Sequence, residues 1–137
     1  MFREVNMNKK ELYNLALKAT ENSYAPYSGF HVGAAVETED GSVYTGCNIE
    51  NASYPAGICA ERTAMAKAIS EGHRKFKKIV VAACNEDGEQ PAAPCGICRQ
   101  FIFEFGDDIE ISFGTDGDSL KTMRIADLLP EGFRLSI

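Results

Sequence analysis

Two cysteines three residues apart are the first group in this chain whose types and spacing could do chemistry. They stand in the segment Pro94-Cys95-Gly96-Ile97-Cys98. At the start of a helix, residues at i and i+3 lie about one turn apart on one face, so both sulfurs can reach one ion. The partial positive charge of a helix N-terminus favours thiolate, the form that binds metal. Spacing alone fits both a metal site and a thioredoxin-like redox pair.

A third cysteine favours the metal interpretation. Cys59 opens the segment Cys59-Ala60-Glu61-Arg62, at the start of another predicted helix. Three protein ligands with a fourth position left to water are typical of catalytic zinc, whereas structural sites normally use four. Glu61 follows Cys59 by two residues, where a carboxylate can move protons beside the metal. Arg62, at i+3 from Cys59, can donate hydrogen bonds to ligand sulfurs and draw off their excess charge.

The other two cysteines, Cys47 and Cys84, are interpreted as small core residues. Cys84 ends an apolar run, and Cys47 lies in a predicted strand with no ligand partner nearby. If either were a fourth ligand, the site would be closed and hydrolysis lost. The odd total of five cysteines also argues against a fully paired disulfide set.

Hydrophobic periodicity predicts the elements that must position these residues. Apolar residues at helical spacing begin with Leu12 and Leu15, alternation follows His31, and a continuous apolar run covers 79–83. The pattern predicts helices at 8–24, 59–70, 95–104 and a short one at 125–129, with strands at 31–38, 42–50, 78–84, 109–113 and 120–124. We therefore expect an α/β fold, three layers α/β/α around a five-stranded mixed sheet. At 137 residues it should form a single domain, 1–137.

Composition narrows the partners. The net charge of -6 disfavours binding to a phosphate backbone, so no nucleic-acid partner is expected and a small ligand fits better. No run of ~18 apolar residues exists, which argues against a membrane span. The first eleven residues alternate charged and polar types and lack the apolar stretch of a secretory leader. We expect a cytoplasmic protein.

The cysteine and glutamate segments resemble a known family. Zinc deaminases carry H-x-E followed by P-C-x-x-C, and this chain has the all-cysteine variant. From about Leu12 to Phe133 it resembles the small homotetrameric cytidine deaminases, in segments 30–35, 46–54, 59–64, 94–100 and 128–130. Several motifs in the right order are far more specific than a lone CxxC.

That resemblance implies an activity and a cofactor. The enzyme would be a zinc aminohydrolase with one Zn²⁺ per chain, held by Cys59, Cys95 and Cys98. It would deaminate cytidine or deoxycytidine to uridine or deoxyuridine with release of ammonia, in pyrimidine salvage. Zinc lowers the pKa of bound water from ~15.7 to ~7, and attack at C4 of the base would follow. Glu61 would be the proton carrier.

The resemblance also implies roles for substrate contacts. Asn48 and Glu50 would hold the ribose 3′-hydroxyl, since residues at i and i+2 of a strand share one face. Phe30 and Ala60 would contact the base. Phe133 would stack on the base in a neighbouring subunit, so that a homotetramer shares its active sites. Ile97, where relatives commonly have alanine, is expected to pack in the core.

Rival interpretations remain open on the sequence alone. A blasticidin-S-type deaminase would share the zinc and glutamate chemistry, although the segment Asn48-Ile49-Glu50-Asn51 favours cytidine. A redox protein using Cys95 and Cys98 would leave Cys59 and Glu61 unexplained. A non-catalytic zinc-stabilised module would hold zinc without releasing ammonia. A polynucleotide deaminase is disfavoured by the acidic charge.

Overall fold

The computed structural model describes residues 2–3 and 7–137, so Met1 and residues 4–6 of the polar N-terminus lie outside the described part. The strands are β1 (Phe2–Arg3), β2 (His31–Thr38), β3 (Ser42–Cys47), β4 (Phe76–Asn85), β5 (Gly88–Gln90), β6 (Glu110–Phe113) and β7 (Lys121–Arg124). The helices are α1 (Lys9–Ala19), α2 (Ala60–Ser70), α3 (Gly96–Phe103) and α4 (Ile125–Leu128). Within the described ranges, none of these helices is long and apolar enough to cross a bilayer.

One mixed sheet organises the described residues. Its strand order is β1-β3-β2-β4-β6-β7, with β5 paired to β4 beside this path. Strands β4 and β6 run parallel, and the other pairs are antiparallel. The mixed α/β class is confirmed, but the expected count of five strands was wrong, because the described residues form a sheet of seven strands. The two unpredicted strands, β1 and β5, are two and three residues long, too short to show a hydrophobic alternation.

Helices cover both faces of the sheet, which gives the expected three layers. On one face α1 packs Leu12, Tyr13 and Ala16 against side chains of β2, β3 and β4. The other face carries the larger core, where α2, α3 and α4 meet the opposite side chains of the same strands. Because both faces are covered, β2 buries Ala34, Ala35 and Val36 in succession.

Two glycines let the helices lie close against the sheet. A Cβ added at Gly33 in β2 would stand 1.9 Å from the carbonyl oxygen of Ala16 in α1. A Cβ at Gly46 in β3 would stand 2.5 Å from the backbone nitrogen of Ala64 in α2. Any larger side chain would push α2 away from β3, and the N-terminus of α2 would move with it.

Most predicted element boundaries agree with the structure within a few residues, and two differences concern the site. Helix α1, capped by Asn8, ends at Ala19 and continues only as a 3₁₀ turn over Thr20–Asn22. Strand β3 ends at Cys47 rather than at residue 50. Beyond it, the Asn48 N–H donates to the Val32 carbonyl at 3.1 Å, and Ile49 forms isolated bridges with Tyr24 and Ile58. The chain after Cys47 therefore turns toward the N-terminal end of α2.

Candidate active site

The N-termini of α2 and α3 bring the three predicted cysteines together. Cys59 is the N-cap residue of α2, Cys95 is the N-cap of α3, and Cys98 lies in the first turn of α3. Their Sγ atoms all lie within 4.8 Å of one another, and the Sγ atoms of Cys59 and Cys95 are 3.8 Å apart. Three residues from two segments, 36 positions apart, thus converge on one point.

The groups around the Cys59 sulfur favour its thiolate form. The hydrogen bond with the Cys98 thiol, followed by those from Arg62 and Cys95, lowers the pKa of Cys59 to about 5, although burial opposes the shift. Nη2 of Arg62 lies 3.7 Å from the Cys59 sulfur. Two helix N-termini add partial positive charge at the same place. A set of three clustered thiols of this kind fits zinc, a borderline-soft ion that binds cysteine sulfur.

Glu61 is a buried carboxyl group beside these sulfurs. Its residue is only 4% exposed, yet it lines the same cavity as Cys59 and Cys95. Burial, with the nearby charge of Cys59 as a smaller cause, raises its pKa to about 7. A carboxyl group with a pKa near neutrality can both accept and donate a proton, which is what general acid–base catalysis requires.

The cavity that contains these groups has a volume of about 620 Å³. Its lining includes the predicted residues Phe30, Asn48, Glu50, Cys59, Ala60, Glu61, Arg62 and Cys95. Cys98 is fully buried behind them. The same cavity therefore exposes sulfur, the Glu61 carboxyl group and the polar side chains of Asn48 and Glu50.

The loop that precedes β2 holds Glu50 in place. The backbone N–H groups of Tyr27 and Ser28 donate to Oε1 of Glu50 at 2.9 and 3.2 Å, and the Ser28 hydroxyl donates to Oε2. The Ser28 hydroxyl is the main cause that lowers the pKa of Glu50 below its usual value. Neither Tyr27 nor Ser28 was predicted as a site residue, because hydrogen bonds to a distant carboxylate leave no periodic pattern.

Arg99 is a second residue that sequence reasoning missed. Its Nε donates to the Pro94 carbonyl at 2.7 Å, and its Nη1 donates to the Leu128 carbonyl at 2.9 Å. The loop immediately before Cys95 is thereby tied to the end of α4. The position of Arg99 directly after Cys98 is visible in the sequence. Its two acceptor carbonyls lie in separate segments, so the sequence alone does not predict these hydrogen bonds.

Two residues considered in the sequence analysis, Phe133 and Ile97, are largely exposed in the single chain. Phe133 is 64% exposed and is not among the residues that line the described cavity. Its carbonyl accepts a hydrogen bond from Nε2 of Gln100 at 3.1 Å. Ile97 was expected in the core, and that expectation was wrong, since it is 67% exposed and lines the cavity. The first turn of α3 turns this side chain outward while Cys98 points inward.

Cys47 and Cys84 lie apart from the thiol cluster. Cys47 ends β3 opposite Gly33, and the Cys84 thiol contacts the Thr20 hydroxyl at 3.6 Å. Among the described residues, the group of histidines, cysteines and acids close enough to hold a metal consists of Cys59, Cys95 and Cys98. No fourth cysteine closes this site.

Three thiols beside a buried carboxyl group in an accessible cavity are the groups that a zinc-dependent hydrolase requires. The family model "Cytidine and deoxycytidylate deaminase zinc-binding region" matches residues 6–115. A cytidine deaminase of Sporosarcina psychrophila is 47% identical over 129 residues, covering 93% of this chain and 92% of its own length. This chain belongs to the cytidine and deoxycytidylate deaminase family.

Comparison with a solved structure supports the same membership. The crystal structure of a cytidine deaminase from Burkholderia pseudomallei matches with a TM-score of 0.84 and 43% identity, covering 93% of this chain and 100% of that one. A blasticidin-S deaminase of Bacillus cereus is 30% identical over 132 residues, covering 91% of this chain and 93% of its own length. This identity is lower than those to the two cytidine deaminases.

Zinc content should separate the clustered cysteines from the others. We expect about one zinc per chain in the wild type and little zinc in Cys59→Ala, because two remaining sulfurs hold the ion far more weakly. Cys84→Ala is the matched control, since it removes a thiol outside the cluster and should keep its zinc. Metal analysis of the purified proteins checks this. Full zinc occupancy in Cys59→Ala would contradict the ligand set.

Proposed function

We propose that this protein hydrolytically deaminates cytidine and deoxycytidine to uridine and deoxyuridine, releasing ammonia, as a step of pyrimidine salvage. The observation that carries the proposal is the shared cavity. Glu61, Cys59 and Cys95 line it together with Asn48 and Glu50, so a reacting centre and a hydroxyl-binding pair face one volume. In the reaction a water adds at C4 of the base, the bond from C4 to the exocyclic nitrogen breaks, and the nitrogen leaves as ammonia.

Cys59, Cys95 and Cys98 are the proposed zinc ligands. When bound, zinc supplies the Lewis acidity that makes a water nucleophilic at neutral pH. Three thiolates on a divalent cation leave a net charge of -1, which weakens that acidity. Arg62, whose guanidinium lies beside the Cys59 sulfur, draws part of this charge away.

Glu61 is the proposed catalytic proton carrier. It takes a proton from the attacking water, passes it to ring N3, and later delivers a proton to the departing amine. Its burial supports this role, because a pKa of about 7 lets one carboxyl group act in both directions without a large energetic cost. The ring nitrogen and the amine belong to the same small base, so one side chain can serve both.

Asn48 and Glu50 are the proposed contacts of the ribose 3′-hydroxyl. A hydroxyl group both accepts and donates, and the amide N–H and the carboxylate oxygen supply one partner of each kind. A phosphate at this position would instead meet the negative charge of Glu50. Because both cytidine and deoxycytidine carry the 3′-hydroxyl, this pair admits either nucleoside. Phe30 and Ala60 line the remaining space, where the base would lie.

A homotetramer with shared active sites is the proposed assembly, with Phe133 as the residue given to a neighbour. Its support is an apolar C-terminal surface: Phe133, Leu135 and Ile137 are all strongly exposed in the single chain. Burial of such side chains between subunits would remove apolar area from water. Light scattering on the purified protein decides the point, and a fully active monomer would contradict it.

Two further proposals concern the whole chain. Residues 1–137 are proposed to form one domain, since the described helices all pack on one sheet; two separate thermal transitions would count against it.

A cytoplasmic location is proposed because all five cysteines are free thiols, the state favoured in a reducing compartment. Cell fractionation tests this location, and recovery outside the cytoplasm would refute it.

Ammonia release from two substrates tests the proposed activity. The wild-type protein should deaminate cytidine with a kcat/KM at least about 100-fold higher than that for blasticidin S, because polar groups placed for a sugar hydroxyl are left unpaired by another ligand. A chelator that strips zinc should abolish the reaction. Preference for blasticidin S would overturn the nucleoside assignment, and activity that survives removal of zinc would overturn the chemistry.

Glu61→Gln is the matched variant for this assay. It keeps the size and the polar end of the side chain but cannot carry the proton. We expect unchanged zinc content and turnover lowered by about 10²- to 10⁴-fold. Near-normal turnover in a zinc-loaded Glu61→Gln protein would remove Glu61 from the mechanism.

A further inference from the structure

A chain of hydrogen bonds stands behind Asn48, on the side away from the cavity. The Ser23 hydroxyl donates to Oδ1 of Asn48 at 2.6 Å, and Nδ1 of His31 lies 3.1 Å from the same hydroxyl oxygen. Ser23 and His31 are partly buried and are not among the residues that line the cavity. They can therefore influence a ligand in the cavity only through Asn48.

The direction of these hydrogen bonds follows from counting protons. A serine hydroxyl has one proton to donate, and here that proton is given to Oδ1 of Asn48. The Ser23 oxygen must then act as the acceptor toward the imidazole, so Nδ1 of His31 carries the proton. The chain thus runs one way, from His31 through Ser23 to Asn48.

Two further hydrogen bonds, besides that from Ser23, hold the Asn48 side chain. Its Oδ1 also accepts from the Val32 N–H at 2.8 Å, and its Nδ2 donates to the Phe30 carbonyl at 2.9 Å. An inverted amide would set Nδ2 against the Val32 donor and Oδ1 against the Phe30 acceptor. The second N–H of Nδ2 has no partner among the described residues, and Asn48 lines the cavity.

The backbone fixes Ser23 in the right place for this contact. The Ser23 N–H donates to the Thr20 carbonyl at 3.1 Å, at the end of the 3₁₀ turn after α1. The next residue, Tyr24, donates to the Asn48 carbonyl at 3.1 Å and accepts from the Glu50 N–H at 2.8 Å. The segments around Ser23 and Asn48 are therefore paired as a short parallel bridge, which places the two side chains next to each other.

We propose that Ser23 and His31 are positioning residues that fix and polarise the Asn48 amide, so that its free N–H is a strong donor to the sugar hydroxyl of the substrate. Hydrogen bonds in a chain strengthen one another, so donation into Oδ1 makes the N–H groups of the same amide better donors. The inference rests on the proposed nucleoside substrate. It makes sugar recognition depend on two residues that never touch the sugar.

A comparison of two nucleosides isolates this effect. In Ser23→Ala we expect kcat/KM for cytidine to fall about fivefold, mainly through a higher KM, as suits the loss of one neutral hydrogen bond. For 3′-deoxycytidine, which lacks the hydroxyl, the fall should be under about twofold, because the strengthened donor has nothing to meet. Thr20→Val is the control, because it removes a nearby hydroxyl that contacts Leu17 and Cys84 instead of Asn48. It should lower kcat/KM for cytidine and for 3′-deoxycytidine by the same factor, or leave both unchanged.

His31 offers a second, independent pair of variants, which also serves if Ser23→Ala does not fold. His31→Asn keeps a side-chain N–H at the position of Nδ1 and should retain most of the cytidine preference. His31→Leu removes the donor and should reproduce the substrate-selective loss of Ser23→Ala. The melting temperature and the zinc content of each variant are measured alongside. Neither should change in parallel with the preference for cytidine over 3′-deoxycytidine.

The outcomes are distinct. The proposal is supported if Ser23→Ala and His31→Leu lower kcat/KM for cytidine but not for 3′-deoxycytidine, and His31→Asn keeps the value for cytidine. This result would support a relay, that is, a chain of hydrogen bonds from His31 through Ser23 to Asn48. Equal losses on both nucleosides, or no loss on either, would overturn it and leave the proposed deaminase activity intact. A wild-type protein that turns over neither nucleoside would overturn the proposed function and, with it, the purpose of the relay.

Discussion

The convergence of two helix N-termini on one point is the constraint on which the rest of this structure depends. Cys59 caps α2 and Cys95 caps α3, so the three sulfurs meet only if both helices are held at fixed places on the same face of the sheet. Gly46 lets α2 come within contact of β3, and Arg99 ties the loop before α3 to α4. Small shifts in either helix would separate the ligands.

The electrostatics of the site follow from that convergence. Hydrogen bonds from Cys98, Arg62 and Cys95 lower the pKa of the Cys59 thiol, and the negative charge of the Cys59 thiolate contributes to the raised pKa of Glu61. Burial alone would already penalise an ionised carboxyl group, and the nearby sulfur adds to the penalty. A carboxyl group that is costly to ionise is poorly suited to stabilising the fold and well suited to carrying protons. The burial of Glu61 in the first turn of α2 therefore costs folding free energy while it tunes the carboxyl group for proton transfer.

The local motifs could be predicted from the sequence, but contacts between distant segments could not. Helix starts at Cys59 and Cys95 follow from spacing and composition, and the structure brings these residues together as expected. Strand β5 was missed because three polar residues carry no periodicity. The partners of Asn48, Ser23 and Val32, lie in segments 25 and 16 residues away, so nothing in the local pattern pairs them. Ile97 was misplaced because a residue between two ligands can face either way on a helix that is only beginning.

Zinc K-edge X-ray absorption on the zinc-loaded protein is the direct test of the three-sulfur site, because it counts the atoms around the ion. We predict three sulfur scatterers at about 2.3 Å and one lighter scatterer, oxygen or nitrogen, at about 2.0 Å. The lighter atom should be replaced or displaced when a nucleoside analogue fills the cavity. Four sulfur scatterers would mean a closed structural site, and two would mean that Cys59 does not join Cys95 and Cys98; either result would contradict a hydrolytic centre at this point.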